Sequence, residues 1–102
     1  MSRYRVGNIT IDKDMANELQ SELDIEISPA VYELAYGFDH ITMYFVQLFP
    51  VNDESDEPAL DLDSLFHGLT GIRLLVILEI LLPMPSNETK MHMKRMAMDL
   101  DF

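Results

Sequence analysis

Residues 72–82 are the most apolar stretch of this chain, eleven positions interrupted only by Arg73 and Glu79. Such a run must be buried wherever it goes, and its length chooses the burial medium. A bilayer needs ~20 apolar residues in a helix, about twice what is present before Pro83 ends the run. The segment is therefore expected inside a protein core and not in a membrane. Its leucine content favours a helix, with Thr70 as the N-cap; strand stays open, because short apolar runs do not discriminate by periodicity alone.

The length of 102 residues fits one domain, residues 1–102, with a single core. A hydrophobic fraction of 48% is too high for a disordered acidic tail, so the chain is expected to fold. Around the apolar run, other elements follow from spacing. Residues 4–11 read as a short extended segment interrupted by a Gly7-Asn8 turn, a possible small hairpin. From Asp12, a plausible N-cap, Met15, Ala16, Leu19 and Leu23 recur at helical intervals. Ser28 and Pro29 then read as the start of a second, shorter helix, with Val31, Leu34, Ala35 and Phe38 on its apolar face and its end near Gly37.

Residues 40–49 are rich in β-branched and aromatic side chains on both parities and are stopped by Pro50, which predicts a central strand. The segment 52–58 has neither an apolar side chain other than Pro58 nor a base, and reads as a solvated loop. Asp63 or Ser64 starts a helical turn through Leu65, Phe66 and Leu69. Ser86 caps a last helix with Met93, Met96, Ala97 and Leu100 on one stripe. The expected class is α+β: a small single domain with a short sheet packed against three or four helices.

Charge is the clearest functional clue. Between Asp12 and Asp63 the chain carries fourteen carboxylates and one base, Lys13, which more than accounts for a net charge of -11. That half repels nucleic acid and anionic membrane and attracts basic surfaces, so direct nucleic-acid binding is disfavoured. Asp14, Glu18 and Glu22 stand four residues apart, hence ~6 Å apart along a helix, and form a regular anionic line. Asp53, Glu54, Asp56, Glu57, Asp61 and Asp63 form a second cluster. Together these nine carboxylates are the candidate partner-binding residues. They could imitate a polyanion and occupy the basic cleft of a nucleic-acid-binding or defence protein. The plainer alternative is that both sets are solvated surface.

Other chemistry finds little support in the residues. Cysteine is absent, which removes disulfides and thiolate ligands. The acidic loop lacks the glycine and terminal glutamate of a calcium-binding EF-hand. His40, His67 and His92 have no partner histidine at metal-binding spacing. No cofactor, metal or catalytic residue is expected. Two competing readings remain: a small dimeric enzyme using His40 or His67 with a carboxylate, or a structural assembly subunit using the Met-rich last helix. A homodimer through that helix or through an edge strand is a further expectation. The opening residues lack the apolar core of a secretory signal, and a cytoplasmic location is expected.

Overall fold

The computed structural model describes residues 2–52 and 57–102. Its elements run β1 (Ser2–Ile11), α1 (Lys13–Leu23), β2 (Ala30–Asp39), β3 (Met43–Pro50), β4 (Leu60–Asp63), α2 (Ser64–His67), α3 (Gly71–Leu81) and α4 (Asn87–Ala97). The strands form one antiparallel sheet in the order β1-β2-β3-β4. The class is α+β, as expected, although the sheet is larger than the sequence indicated.

Four of the helix starts follow directly from local chemistry. Asp12, Asp63, Thr70 and Ser86 each accept a hydrogen bond from a backbone N–H three residues on, satisfying a donor that the helix itself leaves free. α4 closes with Asp99 in the left-handed region, φ 59°, where the Leu100 N–H reaches the Arg95 carbonyl and the Asp99 N–H that of Met96.

The apolar run is indeed a buried helix. Leu74, Ile77 and Leu78 of α3 are completely enclosed and Leu81 nearly so. α3 packs on β3 and touches both α1 and α4. Beneath these helices lies the inner face of the sheet, which presents Tyr32, Leu34 and Tyr36 from β2, Tyr44, Val46 and Leu48 from β3, and Leu60 from β4.

Two expectations about strands are corrected. Residues 28–38 are not a short helix but carry most of β2. The same residues fit both periods, since Val31, Leu34, Ala35 and Phe38 sit at helical intervals while Tyr32, Leu34, Tyr36 and Phe38 alternate. Pairing on both sides decides the matter: β2 is hydrogen-bonded to β1 and to β3 along its length. The Gly7-Asn8 step is likewise not a hairpin. β1 is continuous, and its register shifts between Val6 and Asn8 as a bulge, which keeps Val6 and Ile9 both packed against the core. β3 begins at Met43, with residues 40–42 forming the turn from β2. β4 was hidden in the acidic segment, where Leu60 and Leu62 pack on the core and Asp61 takes the other face.

Among the described residues no helix covers the outer face of the sheet, which is assembled in rows. Arg3, Gly37, Phe45 and Asp63 share one row; Arg5, Ala35, Gln47 and Asp61 share the next. The Phe45 ring leans toward Gly37, and the Arg3 guanidinium lies 5.7 Å from its centroid. A β-carbon on Gly37 would collide with the Ser2 carbonyl oxygen and stand 2.8 Å from Phe45 Cζ. Backbone cannot yield as a side-chain end can. Gly37→Ala is therefore expected to destabilise the domain by ~1–3 kcal/mol, read as a lowered urea midpoint, whereas Gly7→Ala, with nothing within 4 Å of the new carbon, should change it far less.

Candidate functional site

α1 buries Leu19 completely and packs Met15, Ala16 and Leu23 against the core. That face leaves Asp14, Glu18 and Glu22 exposed along the opposite side, so the predicted anionic line exists as a physical surface. None of the three has an ion-pair partner among the described residues, where the ion pairs are Arg5–Glu33, His67–Asp63 and Arg95–Asp101. Two bases lie at the ends of this helix: Lys13 opens it, and Arg73, which donates from Nη2 to the Leu23 carbonyl at 3.2 Å, lines a shallow cleft with Glu22 and Asp24. Asp24 follows in the left-handed region, φ 56°, and caps the helix.

The second acidic cluster is divided by the fold. Asp53, Glu54 and Asp56 lie outside the described residues. Glu57 lines a cleft of about 450 Å³ with Arg5, Asn8, Glu33, Phe49, Pro50 and Val51. Asp61 projects from the outer face of β4, where Gln47 Nε2 donates to it at 3.3 Å. Asp63 is largely covered and serves α2, accepting from the Phe66 N–H at 2.7 Å. α1 belongs to the helical layer on the inner face, so the line on α1 and Asp61 leave the molecule from opposite layers.

The histidines separate in the same way. His40 and His67 are exposed, His40 edge-on to Phe38 and His67 3.5 Å from Asp63. The notable histidine is His92, which sequence reasoning set aside. It is buried on α4 with its Nδ1 2.8 Å from the Tyr36 hydroxyl, which also lies 3.1 Å from Thr89 Oγ1. The Tyr36 hydroxyl thus bridges the imidazole Nδ1 and Thr89 Oγ1. Around this network stand the rings of Tyr4, at 4.0 Å from His92, and Phe102, at 5.1 Å. A signal was available in the sequence: Ser86, Thr89 and His92 recur every three residues, one polar stripe on an otherwise apolar helix face.

The Met-rich helix is divided between core and surface. Met96 is fully buried and Met93 partly so, while Ala97 and Leu100 of the same stripe, and Met91 and Met98 beside it, are exposed. Among the described residues no cluster of three or more histidines and carboxylates could hold a metal ion, and no helix is long and apolar enough to cross a membrane. Comparison with protein-family models, curated proteins and solved structures gives no match.

Burial lowers the pKa of His92 from the ordinary 6.5, with the Glu88 carboxylate opposing the shift. Since the folded value lies below the unfolded one, the unfolded chain takes up the proton first as pH falls. The His92 contribution to stability is full above 6.5 and is lost progressively as pH falls to the lowered folded value. An NMR titration should place the His92 midpoint below 6.5. His92→Gln should flatten the acid side of the stability curve relative to the parent protein; an identical slope in both would refute the assignment.

Proposed function

We propose that the protein is a non-enzymatic acidic partner that lays the exposed face of α1 on a basic surface of another protein, as an inhibitor or regulator of a nucleic-acid-binding or defence protein. The observation that carries this reading is the unpaired line Asp14, Glu18 and Glu22. Like charges four residues apart disfavour a helix by ~0.2–0.5 kcal/mol per pair. Here two such steps follow each other, and among the described residues neither Lys13 nor Arg73 closes an ion pair with any of the three. A surface that costs stability and is left open to solvent is suited to a cationic partner, which would supply the missing counter-charge and release its own bound ions.

The line also narrows the binding surface. Glu18 is its centre and Asp14 and Glu22 its two ends, while Asp61 and Asp63 have bonds of their own on other elements. The rigid helix sets the ~6 Å interval between carboxylates. A flexible acidic loop could match charge but not spacing.

Two measurements separate function from mere solubility. Glu18→Gln with Glu22→Gln should leave the fold intact and raise the melting temperature slightly, because repulsion along α1 is relieved. The same double variant should lose about tenfold or more in affinity for nucleic-acid-binding proteins retained by the parent at low salt and eluted by a salt gradient, since removing two phosphate-like charges removes two salt-dependent contacts. Retention that is unchanged by the double substitution would sink the proposal.

A further inference from the structure

β1 is hydrogen-bonded to β2 on one side, and among the described residues no strand lies beyond it on the other. The bond pattern says which residues face that free edge. The Val51 N–H donates to the Val31 carbonyl at 3.1 Å, which makes these two a bonded pair continuing the β2–β3 register. Bonded pairs recur at every second residue, so Ala35 and Gly37 turn their main chain to β3, while Leu34, Tyr36 and Phe38 turn theirs to β1. Val6, Tyr4 and Ser2 meet them there. The N–H and carbonyl groups of Arg3 and Arg5 are therefore left pointing out of the sheet.

This half of the edge is regular. The bulge lies beyond it, between Val6 and Asn8, and β1 contains neither proline nor lysine, the common guards of an exposed strand. Beside it runs a cleft of about 330 Å³, with Tyr4, Arg5 and Val6 on one side and Leu82, Met84 and Pro85 on the other. Adjacent side chains of a strand point to opposite faces, and the Arg5 guanidinium is on the outer face at Glu33. A cleft that touches Tyr4, Arg5 and Val6 in succession thus reaches the main chain of β1.

We propose that the free edge of β1 accepts an extended segment of a partner protein as an additional antiparallel strand, one that carries an acidic, an apolar and an acidic residue in succession. Opposed residues on paired strands share a face, with β-carbons ~5 Å apart. Acids opposite Arg3 and Arg5 would meet their guanidinium groups on the outer face. The apolar side chain between them would turn inward beside Tyr4, toward the cleft. The strands carry no other base. Arg5 Nη1 is 2.8 Å from Glu33, yet a guanidinium has five donors and this pair is exposed, so Arg5 can serve two carboxylates.

The same two bases exclude a second β1 as the occupant. Any two-fold register that joins residues 3–5 of two copies sets Arg3 opposite Arg5 or one of them opposite itself, and like charges in that position repel. The net charge of -11 opposes an acidic segment only at long range. At physiological salt it is screened over ~8 Å, and opposed residues stand closer than that.

Fluorescence anisotropy at about 150 mM salt tests this with a labelled, capped peptide that has Asp, Leu and Asp at its centre and Thr on both sides. It should bind the whole chain with a dissociation constant below about 1 mM. On binding, the Arg3 and Arg5 amides should become protected from hydrogen exchange, while Tyr4, already bonded to β2, should not change. N-methylation of the two Asp amides of the peptide removes donors at the bonded positions and should weaken binding about tenfold or more, as should Asp in place of its Leu. Arg3→Gln with Arg5→Gln should weaken it about tenfold with unchanged melting. Glu18→Gln with Glu22→Gln should not, so failure of this edge and failure of the α1 surface are distinguishable. Absence of binding, unaltered exchange at Arg3 and Arg5, or full affinity of either the N-methylated peptide or the double Gln variant at β1 would overturn the proposal. Asp61, Leu62 and Asp63 of β4 have the same order of residue types. Self-association in sedimentation that Asp61→Arg abolishes would therefore also overturn it, in favour of a second copy.

Discussion

The burial of α3 between the sheet and its two neighbouring helices is the constraint on which the remaining architecture depends. Leu74, Ile77 and Leu78 are sealed from water, and each such side chain contributes ~1.5–3 kcal/mol relative to exposure. A helix this apolar needs a continuous apolar floor. The alternating residues of β2 and β3 provide it, and the bulge in β1 keeps that strand on the same side after Gly7. α1 and α4 flank α3, and the outer face of the sheet is left to Arg3, Arg5, Glu33, Gln47 and Asp61. One-sidedness of the sheet thus follows from one helix that has to be covered.

The acidity of the chain has more than one physical role. Asp12 and Asp63 cap helices, Asp39 accepts from the Ile41 N–H in the β2–β3 turn, and Asp24 and Asp99 occupy left-handed positions at helix ends. Asp101 is held by Arg95, which reaches both its carboxylate and its backbone carbonyl. These carboxylates shape local backbone. Among the described residues, the exposed side of α1 sets three carboxylates without such work in one line, and the functional reading centres on them.

Exposed apolar side chains and carboxylates share one end of the strands. Ile41 and Met43 follow Asp39, Leu65 and Phe66 follow Asp63, and Leu100 stands between Asp99 and Asp101, whose chain the Tyr44 hydroxyl ties to the start of β3.

Much of the helical structure was legible in the residues alone. The caps Asp12, Thr70 and Ser86 were readable because a capping side chain acts on a backbone N–H three positions away, and the anionic line of α1 because helical spacing is equally local. β2 was not, since residues 30–39 fit a helix and a strand comparably and only the partners β1 and β3 decide. Neither was β4, whose Leu60 and Leu62 are too few to declare a strand without β3 beside them. His92 shared that fate: its network depends on Tyr36, 56 positions away. By itself the sequence determined that the apolar run must be buried, where the caps of four helices fall, and the excess of negative charge, the caps because they act within a turn of chain. Only the tertiary structure decided which strands pair, which carboxylates stay unpaired and where the apolar residues gather, because those depend on contacts between segments far apart in sequence.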